Sequence, residues 1–96
     1  MGMTITEKIL AHAAGRKEVK AGEIVTAKIE DMIIQDATGA MTYYIFRDHG
    51  FRVKNPEHVH VFIDHFAPPC TRVYAEKVQE NIKFCEDYGT QLHYMQ

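Results

Sequence analysis

His58-Val59-His60-Val61-Phe62-Ile63-Asp64-His65 is the stretch on which the reading of the fold turns. Val59, Val61 and Ile63 alternate with His60 and Phe62, the period of two expected of a strand with one face toward a core. Asn55-Pro56 precedes it and Pro68-Pro69 follows it, and proline at both margins keeps a central strand from running further. The strand ends on an acid and a histidine. In open α/β sheets, ligands bind beyond the carboxyl ends of the strands, so Asp64-His65 places a proton carrier at the chemically useful edge.

Working outward, a second polar turn lies upstream, Gln35-Asp36-Ala37-Thr38-Gly39-Ala40, after the apolar run Met32 to Ile34. Asp36 or Thr38 can cap a helix from about Gly39 to His49, with Met41, Tyr44 and Ile45 inward and Gly50 as its stop. Downstream, Thr71 to Tyr88 reads as a helix with the apolar stripe Tyr74, Val78, Ile82 and Cys85, closed by Gly89. Leu92 to Met95 begins a further strand. At the other end, Thr4-Ile5-Thr6-Glu7 is a capping box. Ile5, Ile9 and Ala13 then share a helical face, and Gly15 ends it. Glu23 to Ile29 alternates like a half-buried strand.

Helices alternating with strands predict an α/β layer. The chain shows no repeat, low-complexity tract or internal boundary, so residues 1–96 form one domain. A short final strand with nothing after it makes that domain look incomplete. Such a piece is expected to self-associate through unpaired strand edges.

Composition excludes several classes. The formal net charge is −2, with basic residues scattered along the chain, which gives no electrostatic reason to expect nucleic acid. No apolar run approaches the roughly 18 residues of a membrane helix, and the N-terminus lacks the order of a secretory signal. The cytoplasm is the expected compartment. Cys70 and Cys85 are not spaced as CxxC and fit free thiols.

Two constellations carry chemistry. His58, His60 and Asp64 have even spacing and share a face of a regular strand. They are therefore a candidate metal set in a self-contained binding module, or simply residues on the wetter face. Asp64-His65 differs: a carboxylate beside an imidazole favours its protonated form, and that form can deliver a proton to a leaving hydroxyl. A structural histidine capping the loop is the plainer alternative. Backbone N–H groups at Asp36 to Gly39 can seat a carboxylate, or the turn is an ordinary cap.

MGMTITEKILA (Met1 to Ala11) with Ala14-Gly15, then Val19-Lys20-Ala21-Gly22-Glu23, Ile34-Gln35-Asp36-Ala37-Thr38-Gly39 and Phe62-Ile63-Asp64-His65-Phe66-Ala67-Pro68, taken in succession, resemble the N-terminal part of 3-isopropylmalate dehydratase large subunits, in the aconitase superfamily. The resemblance runs through essentially the whole chain. It implies a three-layer aconitase-like segment, with a small, mainly parallel sheet flanked by helices. It implies a 4Fe–4S hydro-lyase acting on a hydroxy-acid, in which one iron serves as Lewis acid. By position, His65 corresponds to the proton donor that assists departure of the hydroxyl, and Asp64 to its supporting acid. Thr38, Gly39 and Ala40 correspond to a segment lining the substrate pocket. The partners implied are the remainder of the large subunit and a separate small subunit.

Two departures accompany the resemblance. Aconitases carry glutamine at the place of Ala40 and many isopropylmalate-type enzymes carry proline, so alanine leaves the hydroxy-acid open among isopropylmalate, homoaconitate and dimethylmalate types. The family's three cluster cysteines, including a CxxC pair, fall later in the chain, and Cys70 and Cys85 do not match them. The expectation is a fragment that supplies Asp64 and His65 to a composite site and is inactive alone. A remnant domain with no chemistry left is the remaining reading.

Overall fold

The computed structural model describes residues 2–94. The chain divides into two compact units, Met1–Glu30 and Asp31–Gln96.

In the first unit, helix α1 (Ile5–Ala14) opens on the expected capping box. The Thr4 hydroxyl accepts from the Glu7 N–H, the Glu7 carboxylate accepts from the Thr4 N–H, and Gly15 closes the helix at φ 66°. Ile5 and Ile9, expected to face inward, are exposed, and Ala11 is the buried helical position. The strand expected over residues 23–29 does not form. A strand needs a ladder partner, and none pairs with this segment among the described residues. Its backbone is held locally instead: the Lys28 N–H donates to the Ala13 carbonyl at 2.8 Å and the Glu23 N–H to Lys20 at 3.2 Å. Arg16 pairs with Glu23 at 2.9 Å. Alternating burial survives at Val25 and Ala27 without a sheet to explain it.

The second unit is the α/β layer that the alternation predicts. Strands β1 (Met32–Gln35), β2 (Val59–Ile63) and β3 (Gln91–Tyr94) form one parallel sheet in the order β1-β2-β3. Met32 pairs with Val59 and Gln35 with Phe62, while His60 pairs with Gln91 and Ile63 with Tyr94. β3 matches the strand expected from Leu92, whose expected last residue, Met95, lies outside the described residues. Helices α2 (Asp36–His49) and α3 (Arg72–Tyr88) are the two crossovers. They pack on each other and on β2, which puts both on one face of the sheet, as right-handed crossovers between successive neighbours require.

Val59, Val61 and Ile63 point into that layer and are buried, whereas His60 and Phe62 face the other way and are half-exposed. The third layer of the expected arrangement would cover this second face and is not part of the unit.

Tyr43, Val61, Phe84 and Cys85 form the core, with Ile34, Phe46 and Tyr88 packed around it. The rings meet edge to face: Phe46 lies 5.6 Å from Phe84 at 75° and 5.5 Å from Tyr88 at 89°, orientations favoured by the ring quadrupole. Burial of each such side chain is worth roughly 1.5–3 kcal/mol.

The inner face of α2 differs from the one expected. Asp36, Gly39, Ala40 and Tyr43 are buried, while Met41 and Ile45 are exposed. The helix starts directly at Asp36, three residues earlier than expected, and its small residues let α3 approach closely. Tyr43 can occupy the interior because its hydroxyl donates to Asp87 at 2.7 Å. Thr71, expected as the first residue of α3, is its cap, accepting from the Tyr74 N–H at 3.1 Å. Along that helix Val78 and Cys85 are buried with Asn81 and Phe84, whereas Tyr74 lies outside the core.

Candidate functional site

β1 runs into α2 without a loop, so Asp36, the first residue of the helix, stands at the carboxyl end of the sheet. β2 ends at Ile63, and the next residues, Asp64, His65 and Phe66, turn over the same edge. The Asp36 carboxylate is fully buried and accepts both backbone N–H groups of that turn, from His65 at 3.2 Å and from Phe66 at 2.8 Å. An acid in the first turn of a helix is also favoured by the helix dipole. Asp36 is thus a brace between α2 and the turn after β2. Phe66 adds a second hold, stacked on Tyr74 with ring centroids 4.2 Å apart.

The brace aims the pair singled out in the sequence. His65 Nδ1 lies 2.7 Å from Asp64 Oδ1 and 3.7 Å from Asp36 Oδ1. The hydrogen bond to Asp64 raises the His65 pKa above the usual imidazole value, with the charges of Asp64 and Asp36 adding to it against a small opposing effect of burial. The ring is half-exposed. With Nδ1 committed to Asp64, Nε2 is the nitrogen left to meet a ligand.

Thr38, Gly39 and Ala40 follow in the first turns of α2. Thr38 is exposed, whereas Gly39 and Ala40 are buried. Gly39 faces Asn81 of α3 so closely that a Cβ there would overlap the Asn81 side-chain oxygen. Asn81 is itself buried and donates from Nδ2 to the carbonyls of Asp36 at 3.0 Å and Lys77 at 2.7 Å. The amide therefore ties α3 to the same residue that braces the histidine turn.

Sequence reasoning considered Asp36 only as a helix cap and missed its role as brace. The one signal was its place directly after an apolar run. Asn81 left no signal, since an amide within an amphipathic stretch reads as surface.

The metal set His58, His60 and Asp64 does not assemble. His58 falls in a short 3-10 turn (Pro56–His58) before β2, and Asp64 turns to His65. Asp31 takes the place expected of Asp64, with Oδ1 3.0 Å from His58 Nδ1 and 3.4 Å from His60 Nε2. Among the described residues, the set whose ligand atoms all lie within 4.8 Å of one another is Asp36, Asp64 and His65.

The structure thus places an acid–imidazole pair, braced by a buried carboxylate, at the carboxyl edge of a parallel sheet, the edge beyond which ligands bind in open α/β sheets. Comparison with known proteins makes the kinship specific. Over 90 residues the chain is 40% identical to the 3-isopropylmalate dehydratase large subunit of Aquifex aeolicus, covering 93% of this chain and 21% of that protein. It is 42% identical over 89 residues to large subunit 1 of Pyrococcus furiosus, and 37% identical over 97 residues to the large subunit of Thermodesulfovibrio yellowstonii. The chain is homologous to part of the 3-isopropylmalate dehydratase large subunits, and it spans about a fifth of the length of the curated relatives it matches. No family model matches it. Among the described residues, no helix is long and apolar enough to cross a membrane.

Proposed function

We propose that this chain is the N-terminal portion of an aconitase-type hydro-lyase large subunit, contributing the proton donor for removal of a hydroxyl group from a hydroxy-acid such as 3-isopropylmalate. The observation that carries the reading is the Asp64–His65 contact of 2.7 Å at the carboxyl edge of the sheet. In its protonated form, which the hydrogen bond from Nδ1–H to Asp64 favours, His65 offers its Nε2–H to the departing hydroxyl oxygen. As the C–O bond breaks, that proton completes a water molecule and leaves a neutral imidazole, still oriented by Asp64; the electron pair of the new double bond comes from the neighbouring C–H bond, whose proton passes to a base supplied by the remainder of the subunit. The buried Asp36 carboxylate fixes the backbone of the donor. Thr38 presents a hydroxyl on the first turn of α2, while Gly39 and Ala40 set how closely that turn lies against α3.

The cysteines here do not suit a 4Fe–4S cluster, which requires thiolates. Cys85 packs in the core with Tyr43, Val61 and Phe84, where burial pushes its thiol pKa up, and Cys70 is exposed in the loop before α3. The ligands of any cluster belong to the remainder of the large subunit, and the composite site is completed there and by a small subunit. This chain is accordingly inactive alone.

The test is a chimaera in which residues 1–96 replace the matched fifth of the Pyrococcus furiosus large subunit, reconstituted with its small subunit. The chimaera is expected to dehydrate 3-isopropylmalate, and His65→Gln to lower kcat by roughly 10²–10⁴. A folded, active chimaera whose kcat ignores His65→Gln would overturn the assignment.

A further inference from the structure

The second face of the sheet carries a cluster that the hydro-lyase reading does not use. Asp31, immediately before β1, touches His58 and His60, and His60 Nδ1 lies 3.0 Å from His93 Nε2 on β3. His93 is in turn stacked on Phe62, with centroids 4.5 Å apart and planes at 13°. A carboxylate just before β1, an imidazole just before β2 and imidazoles on β2 and β3 thus form a connected cluster.

From this arrangement we infer a binding site for a borderline divalent transition-metal ion, of the zinc class, with Asp31, His58 and His60 as its protein ligands. Imidazole and carboxylate are the donors such ions take. Around an ion with bonds of about 2.0–2.1 Å, tetrahedral ligand atoms stand about 3.3 Å apart. The separations from Asp31 Oδ1 to the two histidine nitrogens, 3.0 and 3.4 Å, match two such edges. His58 completes the site by rotating its half-exposed side chain. Water fills the fourth position.

His93 is a positioning residue. With the ion on His60 Nε2, the proton sits on Nδ1 and donates to His93 Nε2, the outer-shell hydrogen bond that orients a metal-bound imidazole. The stack on Phe62 keeps His93 in place for it. Asp64 has no part in this site, because its carboxylate is engaged by His65 at the other end of β2.

Titration of the full chain with zinc(II) by calorimetry, and with cobalt(II) by its visible absorption, tests the site. One ion per chain is expected, with the cobalt spectrum of a four-coordinate nitrogen–oxygen site. His60→Ala and Asp31→Asn should weaken binding by more than about a hundredfold, and His93→Ala by about tenfold. His58→Ala changes only an exposed turn residue and should weaken binding with the fold intact by circular dichroism. His65→Ala should leave affinity unchanged. Absence of stoichiometric binding, or retention of full affinity in His60→Ala, would overturn the site. Loss of binding in His65→Ala alone would also do so, by placing the ion at Asp36, Asp64 and His65.

Discussion

Asp36 holds the backbone of His65 from a different element: its buried carboxylate accepts the His65 N–H at 3.2 Å and stands 3.7 Å from the ring nitrogen of the same residue. One side chain therefore sets both the position of His65 and part of its electrostatic surroundings.

Removing that carboxylate should cost stability. Asp36→Ala leaves the N–H groups of His65 and Phe66 without their acceptor, and unmet donors of this kind cost about 1–3 kcal/mol each. Asp36→Asn retains one oxygen and should cost less. Urea denaturation of the two variants checks the order, and equal stability of Ala and wild type would contradict the brace.

His65 should remain protonated to higher pH than a free histidine, because the hydrogen bond to Asp64 favours its charged form. The sign follows from linkage: with the folded pKa above the unfolded one, the pair stabilises the fold fully below the unfolded value of about 6.5 and loses that contribution as pH rises through the folded value. An NMR titration of the His65 ring should show the upward shift, and Asp64→Asn should reverse most of it. A curve unaltered by Asp64→Asn would remove Asp64 as the cause.

Gly39→Ala should destabilise although alanine is the better helix former. The gain in propensity is at most about 1 kcal/mol, whereas the new methyl overlaps the Asn81 side chain, and overpacking costs about 1–3 kcal/mol. The Asn81 oxygen has no donor among the described residues. Combining Gly39→Ala with Asn81→Ala should recover part of the loss, giving a non-zero coupling in a double-mutant cycle.

The two cysteines should differ sharply toward a thiol reagent. Cys70 is exposed, whereas Cys85 is buried and its thiol pKa is pushed up by that burial. Thiolate is the reacting species. Native protein should therefore label quickly at one site and slowly at the other, with both reacting at once in denaturant. Equal native rates would show that α3 opens readily.

What the sequence determined by itself was everything set by short-range chemistry. The capping box at Thr4 and Glu7, the glycine stops at Gly15, Gly50 and Gly89, the alternation through Val59, Val61 and Ile63, and the adjacency of Asp64 to His65 depend on neighbours within four residues, and all appear in the structure. Only the tertiary structure decided the rest. Residues 23–29 alternate like a strand, yet a strand exists only when another supplies its hydrogen bonds. The inner face of α2 moved to Gly39, Ala40 and Tyr43 because close approach to α3 favours small residues over the larger Met41 and Ile45. Asp36 reaches His65 across 29 positions, and Asp31 reaches His60 likewise. The parallel pairing of β1 with β2 brings each pair together, and no local pattern encodes that pairing.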